Sequence, residues 1–203
     1  MNAADLQTFA LRSIRDPAGA APALMNLELP RSVLWSGIIL MAALQSLLVG
    51  FAVWVTPVPN DPESPVAIIQ ALYGAPLWFF GVTLLISALT IYALLGMGRL
   101  FGGTGTLQDI MVVMVWFQAI QIACKLVAMV LGLFAPILEA LMVLAASGIG
   151  IYMFVNFINQ VHRFDSIGRT LVVIVLAMLA VLLGFSLFVV LVGTPFMGES
   201  LYV

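Results

Sequence analysis

The sequence predicts an all-α fold: a polytopic membrane bundle of five transmembrane helices with a cytoplasmic N-terminus and an external C-terminus. Three observations predict it. Hydrophobic residues make up 64% of the 203 residues, charged residues only 8%, and the mean hydropathy is +1.20. The apolar residues are concentrated in five long stretches, and the basic residues of the loops fall on one side of these stretches. Soluble domains carry about 25% charged residues, so the composition excludes an ordinary water-soluble fold.

Residues 1–32 are predicted to form a cytoplasmic segment on the membrane surface. One helical face of its first part is apolar and comprises Leu6, Phe9, Ala10 and Ile14. Arg12 and Arg15 point elsewhere, which is typical of an amphipathic helix lying on an anionic leaflet. A frayed N-terminus is the alternative. Residues 18–29, interrupted by Pro22, are predicted to form a second interfacial stretch, and no cleavable signal peptide is expected because a continuous apolar core is missing.

Residues 33–193 are predicted to hold the five spans. A transmembrane helix needs about 20 mostly apolar residues to cross about 30 Å of hydrocarbon. Five stretches meet this requirement, over residues 33–55, 77–97, 108–134, 136–161 and 169–192. Pro136 suits a first helical position, and Asp109 suits the positive end of a helix dipole. We expect Gly193, Thr194 and Pro195 to end the fifth span and residues 194–203 to form an external tail.

The connection between the first two spans is predicted to be a stiff loop followed by a short interfacial helix. Its prolines are Pro57, Pro59, Pro62 and Pro65. Residues 66–73 are apolar but far too short to cross a bilayer. We therefore expect this stretch to lie flat at the membrane surface.

The basic residues outside the spans predict the orientation. All of them fall on the side of the N-terminus: Arg12, Arg15, Arg31, Arg99, Arg163 and Arg169. The loop of residues 56–75, the tight turn at Ala135 and the C-terminal tail carry no Lys or Arg. Because basic loops stay in the cytoplasm, the N-terminus and the loops that follow spans two and four are predicted to be cytoplasmic.

Two ionisable residues interrupt the apolar spans, Lys125 in the third and Glu139 in the fourth. Placing a Lys or Asp at mid-span costs about 2.5 to 3.5 kcal/mol on insertion scales, so each needs a reason. Spans three and four form a tight hairpin, and Gln118 and Gln121 share a helical face with Lys125. The favoured interpretation is an ion pair with amide hydrogen bonds that fixes helix register. The alternative is a transporter or channel subunit whose polar path runs through Gln118, Gln121, Lys125 and Glu139.

Catalytic and ligand-binding motifs are missing from the sequence. It contains no HExxH, no GxSxG, no phosphate-binding loop and no paired intramembrane acids. The glycine-rich run of residues 102–106 lacks the following Lys of a nucleotide site, and the single histidine, His162, lacks partners for a metal. Seven basic residues spread along the chain do not suit nucleic acid. The sequence therefore predicts no enzyme activity, cofactor, metal, nucleic acid or small-molecule substrate.

Two loop motifs resemble a known family. Residues 98–108, which read GRLFGGTGTLQ, resemble the signature Arg-Leu-hydrophobic-Gly-Gly-x-Gly-Ser/Thr-hydrophobic of bacterial members of the Ypt-interacting protein (YIP) family. The matching residues include Arg99, Gly102, Gly103, Gly105 and Thr106. The link between spans four and five is similar to that of the family at His162, Ser166 and Arg169, with Arg163 beside them.

The resemblance implies a five-span membrane domain from about residue 16 to residue 193. In eukaryotic members it implies proteins of the early secretory pathway that bind Rab GTPases and one another, but their acidic soluble N-terminal domain has no counterpart in this sequence. For a bacterial member we expect a multi-pass protein of the inner membrane, in contact with the lipid bilayer. Its expected role is non-enzymatic association with a second copy or another membrane protein, with the glycine-rich motif and the His162 link together on the cytoplasmic face.

Overall fold

The computed structural model describes residues 3–55, 61, 64, 67 and 75–197, and this part of the chain is helical without a strand. Within the described residues, seven helices are bounded as follows: α1 Ala3–Arg15, α2 Pro17–Met25, α3 Arg31–Val55, α4 Pro76–Leu100, α5 Leu107–Gly132, α6 Pro136–His162 and α7 Ile167–Met197. Helices α3 to α7 are long and apolar enough to cross a membrane. The predicted all-α fold with five membrane-spanning helices is therefore confirmed, and the direction of insertion stays a prediction.

The five long helices lie over the five apolar stretches with small shifts at several ends, and the largest difference is at the end of the last. Helix α7 continues through Thr194 and Pro195 to Met197 instead of ending at Gly193. Pro195 therefore lies in the last turn of α7, where its missing N–H removes one intrahelical hydrogen bond. The remaining residues of the predicted tail, 198–203, lie outside the described part of the chain. So does the predicted interfacial helix of residues 66–73, apart from Ala67.

Local interactions explain where the helices begin. Thr106 and Asp109 form a capping box at the start of α5: the Thr106 hydroxyl accepts from the Asp109 N–H at 3.1 Å, and the Asp109 carboxylate accepts from the Thr106 N–H at 3.0 Å. Asp16 caps α2 by accepting from the Gly19 N–H at 2.9 Å. Prolines occupy the first position of α2, α4 and α6, where the missing N–H has no partner to lose.

The N-terminal helices pack against the bundle. Helix α2 contacts α5 and α6, and α1 contacts α2. The Trp116 indole N–H of α5 donates to the Ser13 hydroxyl at 2.9 Å, and the Phe9 ring lies 5.2 Å from the Trp116 ring. Ala20 and Ala21 have no exposed surface. Residues 3–15 thus form a docked helix in place of the frayed alternative, and the position of this segment at a membrane surface stays a prediction.

The buried core lies towards one end of the bundle. The long helices pack as neighbours, with α3 against α4 and α5, α5 against α6, and α4 against α7. The large, fully buried apolar side chains come from the first half of α3, α5 and α7 and the second half of α4 and α6: Ile38, Ile91, Leu94, Ile110, Met111, Val113, Met153, Phe157, Ile158, Val161 and Val173. At the opposite end, the tip of the α5–α6 hairpin is exposed, as at Leu133, Phe134 and Ile137.

Candidate functional site

His162, the last residue of α6, lies at the centre of the packed end. Its side chain has no exposed surface. Nδ1 lies 3.1 Å from the Ile158 carbonyl, and the ring stacks on Phe164 with centroids 5.1 Å apart and planes 8° apart. The Leu94 carbonyl interacts with the ring from α4, yet Nε2 has no partner of good hydrogen-bond geometry among the described residues.

Three glycines allow the chain to approach His162 and its neighbour closely. A Cβ at Gly98 would collide with the imidazole ring, and a Cβ at Gly103 would lie 2.7 Å from its Cδ2. At Gly105 a Cβ would lie 2.8 Å from the Val161 carbonyl oxygen. Real Cβ atoms do not approach other atoms so closely. These positions therefore need glycine because of the contact between the two segments.

Hydrogen bonds join the same two segments. The Thr104 N–H donates to the His162 carbonyl at 3.2 Å, and within the first segment the Gly103 N–H donates to the Gly98 carbonyl at 2.8 Å. The Arg163 guanidinium donates to the Thr104 hydroxyl at 3.2 Å. Gly102 turns the chain after α4 with φ of 80°, and Arg163 ends α6 in the left-handed region with φ of 54°. We call residues 98–106 and 158–170 together the clamp.

The second part of the clamp is fixed by its own polar contacts. The buried Thr170 hydroxyl lies 2.8 Å from the Asn159 side-chain oxygen and 3.0 Å from the Ser166 carbonyl, and its single proton can serve either acceptor. The Ser166 hydroxyl accepts from the Arg169 N–H at 3.4 Å. The Arg169 guanidinium lies 5.8 Å from the Phe164 ring centroid, within cation–π distance. The link between α6 and α7 is thereby held in one conformation.

The outer surface of the clamp carries basic and apolar side chains together with one carboxylate, Asp165, and several hydroxyls. Its exposed members include Arg99, Leu100, Phe101, Ile167 and Arg169, and we call them the clamp face. His162 is enclosed beneath this face, so its ring contacts its packing neighbours and cannot reach a molecule outside the bundle. In the described ranges, no group of three His, Cys, Asp or Glu side chains is placed to hold a metal ion.

The polar residues of span three contact three different helices. Gln118 is buried, and its Nε2 lies 3.5 Å from the Ser87 hydroxyl of α4. The Gln121 amide lies against Gly150 of α6. Lys125 donates from Nζ to Gln45 Oε1 of α3 at 2.6 Å. The shared helical face that the sequence indicates is therefore divided among neighbours on different sides of α5.

The expected ion pair between Lys125 and Glu139 is not formed. No contact within salt-bridge distance joins these two described residues, because Lys125 binds Gln45 and the Glu139 carboxylate folds over Gly132. Both side chains nevertheless line one groove between α3, α5 and α6. Sequence reasoning missed Gln45. The available signal was a lone glutamine in an apolar span, but only tertiary packing shows that it faces Lys125.

Comparisons with known proteins give one match. A family model described as the Yip1 domain matches residues 11–188. This range begins within α1, includes both segments of the clamp and ends within α7. No curated protein and no solved structure matches the chain.

Proposed function

The chain belongs to the Yip1 domain family, and from this premise we propose that it is a non-enzymatic protein of the bacterial inner membrane that binds another protein through the clamp face. Five helices long and apolar enough to cross a membrane make it a multi-pass membrane protein. The clamp is the observation that carries the proposal. Two loops far apart in sequence are fixed to each other through a fully buried His162, and such rigidity suits a binding surface because little conformational entropy is lost on association.

The composition of the clamp face supports a partner with acidic and apolar side chains. Arg99 and Arg169 supply positive charge beside Phe101, which is 38% exposed, and Ile167, which is 57% exposed. Arginine and aromatic side chains are enriched at protein interfaces. The Arg99 side chain forms no hydrogen bond or ion pair with the described residues, so its guanidinium is free to meet a carboxylate.

Site-specific photo-cross-linking in native membranes tests the proposal. A photoreactive residue at Phe101 or Ile167 is expected to form an adduct with one defined protein. The same probe at Leu183, an exposed position of α7 away from the clamp, is expected to form none. Arg99→Glu combined with Arg169→Glu should abolish the adduct, whereas Arg12→Glu, a charge reversal on α1, should leave it intact. An adduct that survives the double reversal contradicts the proposal.

Alkaline phosphatase fusions test the side on which the clamp face lies. The basic loops predict a cytoplasmic clamp, so a fusion after Arg163 should be inactive and a fusion after Asp61 active. The reverse result would place the clamp face outside the cell and overturn the proposed cytoplasmic partner.

The transport alternative has less support. A polar path through the bundle requires its members to line one channel, yet Gln118, Gln121 and Lys125 contact α4, α6 and α3 respectively. Purified protein in proteoliposomes is expected to move neither ions nor protons. Flux that falls in the Gln118→Leu variant would favour transport instead.

A further inference from the structure

The groove between α3, α5 and α6 combines an apolar wall with two opposite charges. Its apolar lining includes Leu48, Val49, Ala128 and Val143, and its volume is about 170 Å³. Lys125 and Glu139 lie in the same groove and are both exposed. We call it the hairpin groove. It is half open towards the surroundings of the bundle, which for helices of this kind are the lipids of the membrane.

Helix lengths indicate that Glu139 lies near the headgroup level of a bilayer and that Lys125 lies within side-chain reach of it. Helix α5 has 26 residues and spans about 39 Å, compared with about 30 Å for the hydrocarbon core and 40–45 Å with headgroups. Each end thus extends about 5 Å beyond the hydrocarbon. Glu139, in the first turn of α6, packs against Gly132 at the end of α5 and so lies in this outer part. Lys125, seven residues before Gly132, starts about 10 Å deeper, and its long side chain can carry the ammonium back towards the edge of the hydrocarbon.

Both charged groups have hydrogen-bonding capacity left for a ligand. The Lys125 ammonium has three N–H donors, and Gln45 takes one of them. The Glu139 carboxylate accepts no hydrogen bond from the described residues. Since the two groups do not pair with each other, the groove presents a separate cation and a separate anion beside an apolar surface.

We infer that the hairpin groove binds one phospholipid whose headgroup carries both a phosphate and a primary ammonium. The phosphate accepts hydrogen bonds from the Lys125 ammonium, the lipid ammonium donates to the Glu139 carboxylate, and the first part of an acyl chain covers the apolar wall. A zwitterionic headgroup satisfies both charges at once and leaves no net charge at the edge of the hydrocarbon. This inference is independent of the clamp face, which lies at the other end of the bundle.

Native mass spectrometry of the purified full-length protein in detergent tests the inference with three lipids of equal chain length. They are phosphatidylethanolamine, phosphatidylcholine, whose trimethylammonium donates no N–H, and phosphatidylglycerol, which has no cation. We expect one tightly held phosphatidylethanolamine per chain, with about tenfold weaker binding of the other two lipids, the loss typical of one charge-assisted hydrogen bond.

Substitutions separate the two contacts. Glu139→Gln should abolish the preference for phosphatidylethanolamine while phosphate binding remains. Lys125→Met should weaken the binding of all three lipids about tenfold, because each lipid depends on the phosphate contact. Glu28→Gln and Arg31→Met, exposed positions at the other end of the bundle, are the matched controls and should behave like the wild type. Gln45→Met controls for the lost partner of Lys125 and should keep the lipid preference.

Three results would overturn the inference. The first is equal binding of the three lipids by the wild-type protein. The second is an unchanged preference in Glu139→Gln together with unchanged affinity in Lys125→Met. The third is a dimer mass that depends on Lys125 and excludes lipid, which would assign the groove to a second copy of the chain. If one of these results contradicts lipid binding in the hairpin groove, the cross-linking test of the clamp face is unaffected.

Discussion

The two ends of the α5–α6 hairpin differ in how they are held. At the clamp end, Phe157 and Val161 of α6 are fully buried, and His162 lies between glycines of the opposite segment. At the hairpin tip, Leu133 is 80% and Phe134 81% exposed, and Lys125 finds its hydrogen-bond partner on α3. The same two helices are thus tightly enclosed at one end and open to their surroundings at the other.

The difference shows what holds a helix bundle together in lipid. Exposed leucines within the spans lose nothing, because acyl chains solvate them as well as other leucines do. Close backbone approach and hydrogen bonds therefore decide where helices are fixed, and both are concentrated in the clamp. We expect substitutions at the clamp end to affect stability much more than substitutions at the tip.

Gly98→Ala is expected to have the largest effect. The added Cβ would collide with the buried His162 ring, and overpacking a tight site costs about 1–3 kcal/mol of unfolding free energy. Thermal unfolding in lipid-free detergent, followed by circular dichroism, measures the loss. Gly96→Ala is the matched control two residues away, because a Cβ there meets no atom within 4 Å. Equal melting temperatures for the two variants would contradict close packing at the clamp.

Trp116→Phe is expected to loosen the docking of α1 while keeping the ring contact with Phe9. It removes the hydrogen bond to Ser13, which is worth about 1 kcal/mol. Trypsin cleavage after Arg12 and Arg15 should accelerate about fivefold, as such a change in free energy implies. Trp78→Phe at the start of α4, where the ring is 53% exposed, should leave the cleavage rate unchanged. An unchanged rate in Trp116→Phe would show that α1 is docked by apolar contact alone.

Lys125→Met is expected to change the unfolding free energy in lipid-free detergent by less than about 1 kcal/mol, because two contributions oppose each other. The substitution leaves Gln45 without its partner, which costs about 1–3 kcal/mol. It also removes an ionised group from an apolar helix, which is favourable by a similar amount. A loss comparable with that of Gly98→Ala would show that the tip is held as firmly as the clamp.

Gly148→Ala is expected to have the smallest effect. Gly148 is an exposed position of α6, and a Cβ there meets no atom within 4 Å. The higher helix propensity of Ala stabilises by at most about 1 kcal/mol. The same thermal unfolding measures it, and a clear destabilisation would reveal a contact that this face makes in detergent.

The five helices were predictable because their signal is local. Apolar stretches of sufficient length appear directly in the sequence, and helix starts are marked by residues such as Pro136 and Asp109. Charge asymmetry also placed the glycine-rich motif and the His162 link on the same side of the membrane. The sequence could therefore indicate that the two motifs are neighbours, and the structure brings them into contact.

The contacts within the site were not predictable because they join residues far apart in the chain. A glycine run is compatible with a simple tight turn, and nothing in its sequence indicates that Gly98 and Gly103 enclose a histidine some 60 residues later. Lys125 presented a similar difficulty. Hairpin adjacency suggested Glu139 as its partner, whereas the packing of α3 against α5 brings Gln45 to it. Helix neighbours beyond the hairpin are set by the whole bundle.

The most direct test of the clamp is a double-mutant cycle of Gly98→Ala and His162→Ala, measured by unfolding in detergent. Each single substitution should destabilise, the first by collision and the second by leaving a cavity between Phe164 and α4. In the double variant the methyl group introduced by Gly98→Ala occupies space vacated by the imidazole. We predict that the double variant is more stable than additivity implies by at least about 1 kcal/mol. Additive losses would contradict the clamp, because they would mean that the two positions do not touch.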